Sequence, residues 1–447
     1  MVGLPPRRPE ARPADTATRS RRRRPSVVRP FPRLPHWRVR LIAALAVLGP
    51  GLVSGFADND AGGITTYSLA GIQFGYALLW VILASQIVLF FTQEVGARLG
   101  IATGKGLMDL IRERWGVRWV AFAAVLMLIA NLGTTVAEFA GIGSALQIFG
   151  VAPQISSLVA AVAVVAFIAL GSYSRVQYLF VGVGILVSIG YAASAILAHP
   201  DWAAAANSLV VPRLTSSPVY WLAVVGTVGT TITPWGQGFI QSYVADKGTR
   251  PDEIRASRAD IFLGAFLTNL IAAFIVIACA ATLWSTGQTQ IQTAADAAVA
   301  LKPLAGPAAA ILFAVGLLGA SLLGLGVVPM ASAYSTCEAF GWETGVNWNW
   351  REAPVFYALL AFFVGFAALF IMIPGLPLVQ VMFLSQVLNA LLLPFILVFV
   401  MRLATDRELM GPLASGPVLG TIGWVCTALL ILLSLVLVAT TFMPVPA

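Results

Sequence analysis

An apolar run from about Leu41 to Leu69 carries at its centre the stretch Phe56-Ala57-Asp58-Asn59-Asp60-Ala61-Gly62-Gly63-Ile64. A helix needs roughly 20 apolar residues to cross a bilayer, and this run is long enough. An ionised Asp at mid-bilayer costs at least ~2.5 kcal/mol on insertion scales. The Gly-Gly pair loosens the backbone, and lipid offers no partner to the N–H and C=O groups so freed. The interruption must therefore be buried in protein or line a polar cavity. A helix broken at an acidic residue points to a cation site.

Composition places this run in its setting. Of 447 residues, 59% are hydrophobic and only 10% charged, with mean hydropathy +0.87. That is the profile of an all-α polytopic membrane protein. The net charge of +8 does not imply nucleic acid: 12 of the 27 Lys and Arg lie in residues 1–40, and most others fall in short loops. Such a distribution reports topology rather than a groove-binding patch. Cys279, Cys337 and Cys426 lack metal-type spacing and read as packing residues. His36 and His199 lie outside the apolar segments, which argues against a His-based zinc site. No apolar segment pairs a nucleophile with a base or carries Walker glycines with Lys. The chain is therefore read as no enzyme, with no cofactor.

Residues 1–39, rich in Pro and Arg, read as a disordered cytoplasmic tail, with binding to anionic lipid headgroups as its functional alternative. Eleven apolar segments follow, near 41–69, 76–96, 118–149, 153–171, 177–198, 219–245, 258–285, 308–336, 354–373, 377–401 and 417–443. With the amino terminus inside, 25 basic residues fall on the cytoplasmic side and only Arg213 and Lys302 outside. This asymmetry predicts an integral plasma (cytoplasmic) membrane protein of 11 spans with its carboxyl terminus outside.

Segment 6 repeats the anomaly of segment 1 with Gly226-Thr227-Val228-Gly229-Thr230-Thr231-Ile232-Thr233-Pro234-Trp235-Gly236-Gln237-Gly238. Proline removes a backbone donor and the glycines loosen the helix around it. The two breaks are 173 residues apart, and each is followed by four further spans. An odd number of spans per repeat inverts the second repeat relative to the first. Paired interrupted helices at matching positions point to a secondary-transporter site near the midplane. The expected organisation is a first inverted repeat over 40–201, a second over 202–403, and an eleventh helix within 404–447.

Asp60 is the strongest candidate ligand. Asp58, two residues earlier, does not share its direction, so one of the two faces the gap while the other caps the next half-helix or binds a backbone amide. Unwound carbonyls of Ala57 and Thr230 and the Thr233 hydroxyl offer neutral oxygens. In segment 10, Gln386 offers an amide oxygen, or else an interhelical hydrogen bond. Thr135 and Glu138 are neighbours on one face of segment 3. Glu138, well inside its span, must pair, stay protonated or face water. Asn59, Trp235 and Gln237 complete the residues placed beside the pathway.

The sequence resembles the Nramp family of divalent-metal transporters, from about Gly49 to the end of segment 10. The marks are Gly49-Pro50-Gly51, the run Ala70-Gly71-Ile72-Gln73-Phe74-Gly75-Tyr76-Ala77-Leu78-Leu79-Trp80, Ala137-Glu138-Phe139-Ala140-Gly141, His199-Pro200-Asp201-Trp202, and Ser385-Gln386-Val387 followed by Pro394-Phe395. The resemblance implies a LeuT-type fold of two inverted five-helix repeats plus an eleventh helix, with metal bound between helices 1 and 6. It also exposes departures. The family's Asp-Pro-Gly-Asn falls on Asp60-Ala61-Gly62-Gly63, which keeps the aspartate and replaces the asparagine ligand by Gly63. Its Met-Pro-His falls on Thr233-Pro234-Trp235, so thioether and imidazole are both absent. Its helix-3 acidic pair falls on Thr135 and Glu138, and segment 9 has no basic residue.

Exchanging a thioether for a hydroxyl leaves an oxygen-only site and removes discrimination against Mg²⁺, a hard ion that keeps part of its water shell. The pattern is similar to the Nramp-related magnesium transporter branch. It implies Mg²⁺ uptake, with Mn²⁺ sharing the site, without strict proton coupling. Proton-coupled Mn²⁺/Fe²⁺ symport with Glu138 as proton acceptor is the alternative, and a transporter-like metal sensor or docking scaffold is a third. The expected partners are a divalent ion as substrate and the lipid bilayer, with no nucleic acid; oligomeric state is left open.

Overall fold

The computed structural model describes residues 50–169, 173–289, 291–343 and 350–442. The Arg-rich tail over 1–39, His36, Gly49 and the start of the first apolar run lie outside the described residues. Proline in the first turn opens many of the helices, where its missing N–H costs no hydrogen bond. Pro153, Pro218, Pro234, Pro354 and Pro417 all stand there.

In chain order the principal helices are α1 (Pro50–Ala57), α2 (Ala61–Phe74), α3 (Leu79–Thr103), α4 (Leu107–Trp115), α5 (Val117–Gln147), α6 (Pro153–Ala169) and α7 (Tyr173–Leu197). They continue with α8 (Trp202–Val210), α9 (Pro218–Thr231), α10 (Pro234–Asp246), α11 (Ile254–Thr282), α12 (Ala309–Phe340), α13 (Pro354–Ile371), α14 (Leu378–Thr405) and α15 (Pro417–Phe442). Among the described residues, seven helical stretches are long and apolar enough to cross a membrane. The first and sixth predicted segments are each split in two, α1 with α2 and α9 with α10, as the sequence leads one to expect.

Two details differ from the sequence reading. Residues 97–117, expected as a loop, are largely helical: α3 runs on to Thr103, and α4 follows with Gly104 and Gly116 in positive-φ turns at the helix ends. The charges there misled, because Arg98 is buried rather than exposed. Its guanidinium meets Glu94 at 3.1 Å and the Leu413 carbonyl at 3.1 Å. A further short helix, α8, is opened by Asp201, which accepts the Ala204 N–H at 2.9 Å.

The helices pack so that the breaks are enclosed. The long α5 runs against α12 and α14, α9 lies on α14, and α10 lies on α3. Both halves of the first broken helix lean on α11. Small residues bring these backbones together: a Cβ on Gly264 would fall 2.1 Å from the Gly51 carbonyl oxygen. Thr268 donates its hydroxyl to the Gly55 carbonyl, and Asp260 accepts the Gly51 N–H at 2.7 Å. Close backbone approach of this kind replaces the hydrophobic driving force that lipid cannot supply between helices. Lipid-facing surfaces are apolar instead, with Leu429, Leu432 and Leu435 of α15 and Phe362, Phe366 and Leu369 of α13 exposed. The three cysteines are buried free thiols.

Candidate metal centre at the paired helix breaks

The first break spans Asp58–Asp60. Helix α1 ends at Ala57, whose last carbonyls lack intrahelical donors, and α2 begins at Ala61. Asp60 is the N-cap of α2: its Oδ1 accepts the Gly63 N–H at 2.6 Å. The second break mirrors it. Thr233 is the N-cap of α10 and its Oγ1 accepts the Gly236 N–H at 3.3 Å. Two helix amino ends and two helix carboxyl ends thus meet in the protein interior, offering partial positive and partial negative charge respectively.

The two aspartates of the break are held differently, with Asp60 capping α2 and Asp58 set apart from that cap. Asp58 is 1% exposed, and neither carboxylate oxygen has a hydrogen-bond partner of ordinary geometry, although the Thr233 side chain lies beside it. Asp60 caps; Asp58 is the uncommitted carboxylate. The Asn59 amide reaches the Thr268 carbonyl at 3.5 Å, and its oxygen is unpartnered. Glu138 on α5 accepts the Ala61 N–H at 3.4 Å and directs its carboxyl group at Asp60. None of the described ion pairs includes Asp58, Asp60 or Glu138. Buried carboxylates without basic partners are tolerable only when a cation or a proton balances them.

The remaining candidates divide. Thr230 stands on α9 against Gly63: a Cβ there would lie 3.2 Å from the Thr230 Oγ1 and 2.9 Å from the Asp58 carbonyl oxygen. That hydroxyl is buried and unpartnered, so Thr230 offers its side chain in addition to the expected carbonyl. Gln386 reaches the break, but through its amide nitrogen, which covers Gly62; its oxygen accepts from Asn389 at 3.0 Å. Asn389 in turn donates to Thr134 on α5 at 2.9 Å. Thr135 is spent within its own helix, donating to the Asn131 carbonyl at 2.7 Å. Trp235 is fully buried and packs with Ala57, Phe239, Leu323 and Val327. Gln237 is buried with both amide atoms unpartnered.

Sequence reasoning missed Ser54 and Gln93. Asp58 donates its backbone N–H to the Ser54 carbonyl at 2.9 Å, so the two residues stand one helical turn apart on one face. Gln93 on α3 donates to the Ser54 Oγ at 3.2 Å. The four-residue spacing before Asp58 was the available signal. Among the described residues no three His, Cys, Asp or Glu side chains group as a metal cluster. Any ion here must complete its shell with neutral oxygens or water.

Comparison with known proteins bears on this geometry. The family model described as natural resistance-associated macrophage protein-like (Nramp) matches residues 51–440. The chain belongs to the Nramp family. A relative from Deinococcus radiodurans, named divalent metal cation transporter MntH, is 32% identical over 402 residues, covering 87% of this chain and 88% of its own. A protein of the same name from Granulibacter bethesdensis is 28% identical, covering 91% and 90%. Among solved structures, the manganese transporter of Eremococcus coleocola superposes with TM-score 0.73 at 21% identity, over 93% of this chain and 91% of that one. MhsT in complex with L-phenylalanine superposes with TM-score 0.60 at 15% identity, over 88% and 97%. These likenesses show the fold: the Nramp chain is an all-α membrane protein of LeuT type, two inverted five-helix repeats with a further helix.

Proposed function

We propose that this divalent-metal transporter of the Nramp family carries Mg²⁺, with Mn²⁺ sharing the site, by alternating access and without strict proton coupling. The observation that carries the reading is the donor chemistry of the breaks. Asp58, Asp60, Thr230 and Thr233 contribute oxygen alone, and Thr233 and Trp235 stand where the family motif has Met and His. Oxygen donors suit a hard ion that retains water, and nothing soft is present to favour Mn²⁺ or Fe²⁺. The repeats run over 40–201 and 202–403, and eleven spans leave the amino terminus cytoplasmic and the carboxyl terminus outside. In a plasma (cytoplasmic) membrane the potential drives inward movement at ~2.3 kcal/mol per charge per 100 mV.

Proteoliposomes with an imposed inside-negative potential test this. Mg²⁺ enters, and an internal pH dye stays still during uptake. Failure to move Mg²⁺ while Mn²⁺ enters with acidification establishes the second reading, proton-coupled Mn²⁺/Fe²⁺ symport. That reading draws on one specific contact, the Glu138 carboxyl group directed at Asp60, which is a ready place for a proton.

A further inference from the structure

A cavity of about 410 Å³ opens where α2 and α11 end against α8, with Tyr76, His199, Asp201, Arg213, Trp284 and Ser285 in its lining. That size falls within the ~300–1,000 Å³ of small-molecule sites. The 14 residues of α2 hold it roughly 20 Å from the break at Asp58–Asp60. Its walls carry both signs of charge. Asp201 accepts the Ala204 N–H at 2.9 Å through one carboxylate oxygen, and none of the described ion pairs includes Asp201 or Arg213. The Trp284 ring lies over Gly75, where a Cβ would fall 2.9 Å from it, and the Tyr76 hydroxyl lies beside the Asp201 backbone. Among the described residues His199 is the one non-glycine with positive φ, at 49°, and its imidazole carries an N–H donor in either tautomer.

The rim of this cavity is apolar. Trp202, Val210, Val211 and Leu214, close in sequence to the lining residues Asp201 and Arg213, are all exposed. Helix α8 lies on α3, whose Leu83 and Ile87 are exposed as well. Tryptophan at such an edge belongs to the membrane–water interface. An anion and a cation left unpaired in one cavity, with aromatic walls and an apolar rim, complement a zwitterion that carries acyl chains. We propose that this cavity receives the headgroup of an aminophospholipid, phosphatidylethanolamine. Arg213 and His199 meet its phosphate, for which a guanidinium fork is the fitting donor. Asp201 meets its ammonium, which the faces of Tyr76 and Trp284 also attract. The acyl chains leave over Val210, Val211 and Leu214. A headgroup so held ties α8, the link between α7 and α9, to the ends of α2 and α11. The proposal goes beyond the transport reading and does not depend on which metal is carried.

The test is native mass spectrometry of the full chain, delipidated in detergent and titrated with dioleoyl phosphatidylethanolamine or dioleoyl phosphatidylglycerol. Melting temperature is recorded for every variant, with and without lipid. Phosphatidylglycerol offers the phosphate without the ammonium, so the parent binds phosphatidylethanolamine about tenfold tighter. Arg213→Ala, at an exposed position, keeps the lipid-free melting temperature and weakens phosphatidylethanolamine by about tenfold. Asp201→Asn keeps the α8 cap, since Asn caps as well as Asp, and loses the preference between the two lipids. Phosphatidylethanolamine raises the melting temperature of the parent and does so less for Arg213→Ala. The proposal is overturned if the parent binds both lipids equally, or if Arg213→Ala and Asp201→Asn keep its affinity and preference. Free phosphoethanolamine binding as tightly as the lipid marks a site for a soluble ligand and overturns it too.

Discussion

Asp60 and Thr233 do the same work in two half-helices 173 residues apart: each side chain accepts the backbone N–H of the glycine three positions on, Gly63 at 2.6 Å and Gly236 at 3.3 Å. The two breaks thus share a capping device, with one cap anionic and the other neutral. Each cap satisfies an N–H that lipid could not, and so fixes where its half-helix begins.

Removing the charge and removing the cap are therefore separable at Asp60. Asn is as good an N-cap as Asp, so Asp60→Asn keeps the melting temperature of the parent. Asp60→Ala loses the cap and about 1 kcal/mol of stability. Thermal unfolding in detergent, followed by tryptophan fluorescence, distinguishes the two. Equal melting temperatures for Asn and Ala would show that the Gly63 contact contributes nothing.

Thr233→Met puts a thioether where only oxygens now stand. Competition uptake in liposomes with Mg²⁺, Mn²⁺ and Cd²⁺ should shift toward Cd²⁺ and Mn²⁺ by roughly tenfold or more, since soft donors select soft ions. The same substitution removes the α10 cap, so a fall in stability of about 1 kcal/mol accompanies it. Unchanged selectivity would defeat the donor-chemistry argument.

Two glycines facing Gln386 differ in what a methyl group would meet. At Gly62 it falls 1.8 Å from Nε2 of a buried side chain that can shift only by giving up its bonds to Asn389 and Ser385. At Gly229 it falls 1.9 Å from the Gln386 backbone oxygen, which cannot shift. Gly229→Ala is expected to cost the ~1–3 kcal/mol of overpacking or more, Gly62→Ala distinctly less. Yield of monodisperse protein and melting temperature rank the two.

The buried Glu94 bridges two arginines of unequal exposure. Arg98 is 3% exposed and meets it at 3.1 Å; Arg258 is 45% exposed and meets it at 2.8 Å. Arg98→Ala leaves Glu94 beside a half-exposed partner alone and strips the Leu413 carbonyl of its donor, a loss of ~3–5 kcal/mol. Arg258→Ala costs about 1 kcal/mol or less, because water screens that side. Denaturation midpoints of the two variants should differ in that order; the reverse order would place the structural contact on α11 instead.

Much of the fold was legible before any coordinates. Hydropathy located the seven helical stretches that, among the described residues, are long and apolar enough to cross a membrane, because a bilayer demands about 20 apolar residues per helix whatever the neighbours are. The breaks were legible from the two aspartates and from the matching clusters of Gly, Thr and Pro around Gly62-Gly63 and Pro234; proline alone was no guide, since Pro329 and Pro394 stand inside continuous helices. Arg98 shows the limit of that reasoning. A charge near a segment end reads as a loop residue, yet α3 carries it onward into a buried ion pair.

What the sequence by itself determined about this protein is the medium it inhabits, the two matching interruptions, and the absence of sulfur and imidazole from their motif positions. Only the tertiary structure decided which aspartate caps and which stays free, that Ser54 joins Asp58, that Gln386 turns its nitrogen to the break, and that Trp235 packs against Ala57 and Leu323. The reason is geometric. Helical periodicity tells which side chains share a face, and it ends where the helix does. Inside a break, direction is set by the elements that close around it, here α3, α5, α12 and α14, and those contacts are distant in sequence.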